Sequence, residues 1–160
     1  MEFSFHEDTL ESLCKLYNTD LEKGLTKEQA LKNMKRSGKN KKHGKIQDYT
    51  MCKRDGEFQH VLSKRLTVGD IITLKAPQVV PADIRVIEAS PDCKVCKSAV
   101  TGESQPQKVS ADFTHGNPLE TENVVLAVTK MTTGSCTGMV VNVGRATVIG
   151  RLAHLFTPLE

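Results

Sequence analysis

The sequence predicts a mainly β domain of jelly-roll-like or distorted-barrel form, preceded by an N-terminal α-helical hairpin. Three observations lead there. Over the first forty positions apolar residues recur at helical spacing. A polar stretch, Asn40-Lys41-Lys42-His43-Gly44-Lys45, then ends that pattern. From Ile46 onward come short Val- and Ile-rich runs separated by turn residues, the mark of many strands with long connections. At 160 residues the chain is one domain with a small appendage, long enough to bury an adequate core without staples.

In chain order, Asp8 followed by Glu11 reads as a capping box that opens a first helix, continued by Leu10, Leu13, Leu16 and Tyr17. Gly24 marks a turn. Thr26 with Gln29 is a second capping box, followed by Ala30, Leu31 and Met34, and Gly38 suits that helix's end. The two helices are expected to pack on each other or on the chain beyond them. Arg54-Asp55-Gly56 is a hairpin signal, because Asp and Gly tolerate the positive φ of a tight turn. Asp70 to Lys75 is a β-branched run. Ile84 to Glu88 alternates apolar and polar residues, as Cys93 to Val100 does more weakly. Val124 to Thr129 and Gly138 to Val143 read as buried strands. Val148, Ile149, Leu152, Leu155 and Phe156 are spaced as a closing helix. The divisions are 1–40 for the hairpin, 41–48 for the linker and 49–160 for the β domain.

Composition narrows the function classes. Net charge is +3, from 22 basic and 19 acidic residues, too balanced for a nucleic-acid binder. The basic excess is local: Lys32, Lys35, Arg36, Lys39, Lys41, Lys42 and Lys45. That cluster reads either as a solvated helix end and linker or as a segment beside anionic lipid headgroups. It carries no aromatic stacking platform for nucleic acid. There is no Trp, so the core must be aliphatic. The five cysteines, at 14, 52, 93, 96 and 136, follow charged first residues with no apolar leader run, and reduced cytosolic thiols are expected. Cys93 and Cys96 have metal-type spacing, but no second Cys or His pair follows, and in a strand they would face opposite ways; no metal site is expected. The longest apolar run, Val124 to Val128, is far short of the about 20 residues a membrane helix needs.

Chemistry concentrates in one loop, Thr101-Gly102-Glu103-Ser104-Gln105-Pro106, expected just after a strand ending at Val100. Gly102 lets the backbone approach a ligand. Glu103 sets a carboxylate beside two hydroxyls, where it can orient a water and accept its proton. Taken alone, the four residues are equally the makings of a polar turn.

Their surroundings carry more. Val68-Gly69-Asp70-Ile71-Ile72 and Val80-Pro81-Ala82-Asp83-Ile84-Arg85 precede the loop. Asp112-Phe113, Asn117-Pro118-Leu119-Glu120-Thr121 and Gly150-Arg151-Leu152-Ala153 come after it. In this order the chain resembles the actuator domain of P-type cation-transporting ATPases, most closely the sodium/potassium and proton/potassium pump branch. Tyr17-Asn18-Thr19-Asp20-Leu21 with Lys23-Gly24-Leu25-Thr26 is similar to the pre-membrane segment of the same pumps. The resemblance implies a distorted jelly-roll or double-stranded β-helix. It makes Glu103 the group that positions the water attacking an aspartyl phosphate, with Thr101, Gly102 and Ser104 shaping the loop against that phosphate. Pro81, Ala82 and Asp83 would be structural, with Asp83 free to satisfy backbone N–H groups.

The same resemblance implies partners: the phosphorylation and nucleotide domains and the membrane helices of a pump, at the cytosolic face of a membrane. Mg2+ and ATP would belong to those other domains; no cofactor, nucleic acid or bound small molecule is expected here. The string Asp-Lys-Thr-Gly-Thr and a Walker-type loop are absent from the sequence, so this chain alone is expected not to hydrolyse ATP. In the pumps two membrane spans separate the N-terminal helices from the β domain; residues 41–48 stand in their place here. The chain departs from the family at Ala76-Pro77-Gln78-Val79-Val80, at Cys96 and at Gly144-Arg145. An alternative function is therefore a truncated, non-catalytic relative that binds or regulates a pump.

Overall fold

The computed structural model describes residues 3–41 and 45–156. Two helices open the chain, α1 (Leu10–Tyr17) and α2 (Lys27–Ser37). Next come β1 (Tyr49–Arg54), β2 (Glu57–Leu62), β3 (Ile71–Lys75), β4 (Asp83–Ala89) and β5 (Lys94–Cys96). A single helical turn, α3 (Ser98–Thr101), leads to β6 (Gln107–Lys108), β7 (Val124–Val125), β8 (Lys130–Thr133), β9 (Ser135–Asn142) and α4 (Val148–Phe156).

The strands form a six-stranded antiparallel sheet in the order β2-β1-β3-β9-β4-β7 and a three-stranded sheet in the order β6-β5-β8. The large sheet is covered on both faces. Alternation along β3 and β9 sends Ile72, Leu74, Cys136 and Val140 into one cluster with Val95, Val109 and Met131 of the small-sheet side. Ile71, Met139 and Val141 point the other way, onto Phe5 and Leu13 of the N-terminal segment and Val148 of α4. The expected mainly β body with N-terminal helices is therefore present, and the helices lie on it. Gly24 shows how closely: with φ +70, a Cβ there would meet the Lys53 carbonyl oxygen at 1.9 Å.

Local chemistry accounts for the well-read elements. Thr26 Oγ1 accepts the Gln29 N–H while Gln29 Oε1 accepts that of Thr26, closing the capping box. Asp55 and Gly56 hold φ of 53° and 79°, the two left-handed residues of a tight hairpin turn between β1 and β2. Lys35 and Arg36 end α2, where cations complement the helix dipole, and every described lysine and arginine of the basic cluster is solvent-exposed. No helix among the described residues is long and apolar enough to cross a membrane.

Several expectations need correction. The first helix is capped by Thr9, whose Oγ1 accepts the Ser12 N–H at 3.1 Å, and not by Asp8. Leu16 and Leu31, placed on the apolar stripes by spacing, are 58% and 54% exposed, because each helix buries one narrow face. Ile84 to Glu88 does not alternate in burial: Ile84, Arg85 and Val86 are all buried in a sheet covered on both sides. The run Val124 to Thr129 leaves strand geometry after Val125, with Val128 at φ 68°. There the chain crosses to residues 78–80: Val128 N donates to Val80 O, and Val80 N to Thr129 O. Residues 42–44, within the expected linker, lie outside the described residues.

Candidate functional site

The loop singled out from the sequence is the tip of an antiparallel pair. β5 and β6 pair through Lys94 with Lys108 and Val95 with Gln107, so residues 97–106 are held at both ends. The strand expected to reach Val100 stops at Cys96. The chain then makes the one turn of α3 and leaves it through Gly102, at φ +80°. No neighbouring atom lies within 4 Å of where a Gly102 Cβ would stand. Thr101, Gly102, Glu103 and Ser104 are all exposed, as are Gln105 and Pro106. The site is an exposed tip.

The tip is nonetheless braced from beneath. The Lys97 carbonyl accepts three donors: Val100 N–H at 2.9 Å and Thr101 N–H at 2.8 Å, and Thr101 Oγ1–H at 3.2 Å. Thr101 Oγ1 in turn accepts the Glu103 N–H at 3.3 Å. On the far side Cys96 Sγ lies 3.3 Å from Ser98 Oγ and 3.8 Å from the Ser104 carbonyl oxygen. The Ser98 hydroxyl and N–H, with the nearby Lys130 charge, draw the Cys96 thiol below its ordinary value. Among the described residues no group of three metal-ligating side chains comes together. Cys93, just before β5, is buried, and Cys96, at its end, is partly exposed.

In the large sheet, Asp83 fulfils its expected structural role. Its carboxylate is fully buried and accepts the N–H groups of Ala127 and Val148 and the Asn142 amide. Burial pushes the carboxyl up against the pull of those three donors. Asp70, also fully buried, takes a two-pronged pair from Arg54: Nε to Oδ1 at 2.9 Å and Nη2 to Oδ2 at 2.8 Å.

Three buried polar side chains carry no signal in the sequence. Asn40, read as the start of a polar linker, is buried; its amide donates to the Ser63 and Pro81 carbonyls and its Oδ1 accepts the Gly144 N–H. Arg85 reaches from β4 to the carbonyls of Phe5 and Asp8, tying the N-terminal segment to the sheet. Lys97 is 6% exposed and donates from Nζ to the Leu119 carbonyl at 2.9 Å. No local pattern announces any of the three, since each works through contacts distant in sequence.

Comparison with known proteins agrees with this geometry. Residues 44–157 match the P-type ATPase actuator domain family, and residues 5–49 match the cation transporter/ATPase N-terminus family. A potassium-transporting ATPase alpha chain 2 from Cavia porcellus is 46% identical over 110 residues, covering 69% of this chain and 11% of that protein. A sodium/potassium-transporting ATPase subunit alpha-3 from Rattus norvegicus is 46% identical over 107 residues, covering 67% of this chain and 10% of that one. The chain thus spans about a tenth of the length of these relatives. Among solved structures, a zinc-transporting PIB-type ATPase in its E2.Pi state superimposes with a TM-score of 0.54 at 25% identity, covering 72% of this chain and 18% of that one.

Proposed function

Since the chain belongs to the P-type ATPase actuator domain family, we propose that it serves a cation pump by bringing Glu103 to an aspartyl phosphate held on another domain. There the carboxylate orients the attacking water and accepts its proton. The observation that carries this reading is the placement of Glu103. It is the one carboxylate on an exposed tip, flanked by the Thr101 and Ser104 hydroxyls, and the tip is anchored at both strand ends.

The chemistry derives from those residues. A water between Glu103 and phosphorus attacks along the line opposite the aspartyl oxygen; the new P–O bond forms as the acyl-phosphate bond breaks, and the proton passes to the carboxylate. Such proton transfer contributes about 10²–10⁴ in rate. Gly102 keeps the backbone free of a Cβ where the phosphate approaches. Mg2+ and ATP act on the partner domains in this reading. Movement of the domain as a rigid body, through the helices docked on its sheet, is the link to the membrane helices and to ion transport, and places it at the cytosolic face.

The test is a pump carrying this domain in which Glu103→Gln is introduced. Phosphorylation by ATP should proceed, and decay of the phosphoenzyme should slow by about 10²–10⁴. Decay at the unaltered rate refutes the assignment.

A further inference from the structure

At the base of the tip sits a buried lysine that the mechanism does not use. Exposed lysines need no explanation, but an ammonium taken out of water is costly unless particular partners receive it. Lys97 is 6% exposed, and its Nζ donates to the Leu119 carbonyl at 2.9 Å. Burial lowers its pKa, and the carboxylates whose fields oppose that shift are Glu120, Glu103 and Glu122, in that order.

The loop that Lys97 grips is itself stiff. Asn117 closes it, with its Oδ1 accepting the Leu119 N–H at 3.0 Å and its carbonyl accepting the N–H groups of Glu120 and Thr121. His6 Nε2 lies 2.7 Å from the Gly116 carbonyl, and Asn123 donates to the His6 carbonyl at 3.0 Å, so the N-terminal segment backs the same loop. Lys97 therefore joins two bodies. Its side chain holds the 113–120 loop, and its backbone carbonyl holds Thr101, whose hydroxyl receives the Glu103 N–H.

We propose that Lys97 is a positioning residue for Glu103: tethered to Leu119, it fixes the turn from which the tip departs and so sets where the carboxylate meets the phosphate. This rests on the reading of Glu103 given above. A lysine that merely filled space would be replaceable by an apolar side chain of equal length; a tether is not.

The test compares Lys97→Met, which keeps the stem and removes the ammonium, with Lys97→Arg, which keeps a cation. In a pump carrying this domain, Lys97→Met should form phosphoenzyme normally yet lengthen its lifetime by on the order of 10²-fold, the effect of displacing a reacting group by about 1 Å. Lys97→Arg should restore part of the rate. In a Glu103→Gln background Lys97→Met should add nothing, because both act through one group. In the 160-residue chain, amide exchange at Thr101 and Glu103 should quicken in Lys97→Met while β4 and β9 keep their protection. If Lys97→Met loses that protection, Lys97→Gln, whose amide donor ends one bond short of the Nζ that reaches Leu119, carries the comparison and should show the same lengthened lifetime. An unchanged lifetime in the Lys97 variants while Glu103→Gln traps phosphoenzyme overturns the proposal. So do independent, multiplying effects in the double variant. If Glu103→Gln itself changes nothing, the proposal falls together with the reading of Glu103, and that control identifies the cause.

Discussion

Asp83 Oδ2 lies 2.8 Å from the backbone nitrogen of Val148, so a carboxylate at the start of β4 holds the first turn of α4. The same side chain receives Ala127 N–H at 3.0 Å and the Asn142 amide at 3.1 Å, joining four segments at one buried point. Asp83→Ala leaves all three donors without an acceptor. At about 1–3 kcal/mol for each buried group left unpaired, the loss should reach about 3 kcal/mol. Urea unfolding followed by circular dichroism measures it, and a loss below about 1 kcal/mol contradicts this role.

Arg54 and Asp70 make a second buried knot. The side chains are 13% and 0% exposed, and Asp70 Oδ2 also accepts the Thr67 N–H at 3.0 Å. Removing one partner strands the other, at a cost of about 3–5 kcal/mol. Arg54→Met should therefore lower the unfolding free energy by that amount in chemical denaturation, although it adds apolar surface on the sheet side.

Two glycines should respond differently to alanine. At Gly102 there is room, and only the φ of +80° opposes a side chain. Gly102→Ala should cost about 1–2 kcal/mol and leave the fold intact by amide protection. At Gly138 a Cβ would stand 2.1 Å from Ile84 Cγ2 and 2.8 Å from the Arg85 carbonyl oxygen. Gly138→Ala must push β9 away from β4 and should cost roughly 3 kcal/mol or more.

Cys96 should be the most reactive of the five thiols. The Ser98 hydroxyl and N–H lower its pKa from 9.0, so thiolate is present at lower pH than for an unperturbed thiol. Burial, Asp20 and Glu11 instead raise that of Cys14. Cys52, Cys93 and Cys136 are buried. Alkylation by iodoacetamide followed by peptide mass spectrometry should label Cys96 first, with a midpoint below that of Cys14, and Ser98→Ala should move that midpoint upward. Equal rates at Cys14 and Cys96 contradict the local cause.

What was legible in the sequence was what short-range chemistry decides. Thr26 with Gln29, the Asp55-Gly56 turn and the helix after Thr147 each depend on residues within a few positions of one another. The candidate tip was legible for the same reason, as three turn-forming residues, Thr101, Gly102 and Ser104, around one acid. What stayed hidden depends on the far side of the molecule. Asn40 looks like linker until Ser63, Pro81 and Gly144 surround it. Arg85 looks like the polar half of an alternating strand until the N-terminal segment covers that face. Lys97 looks like one more surface lysine until Leu119 arrives. The end of β5 is different, since its cause is local. A weak alternation runs on to Val100, but the Lys97 carbonyl takes the Val100 and Thr101 N–H groups and turns the backbone into α3.

The most direct measurement tracks a single turnover of phosphoenzyme in water enriched in oxygen-18, in a pump carrying this domain. With Glu103 present, one labelled oxygen should enter each released phosphate as the acyl phosphate decays rapidly, since the water that the carboxylate orients attacks phosphorus. With Glu103→Ala, labelled phosphate should appear on the order of 10²-fold more slowly or beyond that, while phosphorylation is unimpaired. Labelled phosphate released equally fast with and without the Glu103 carboxylate would contradict the account.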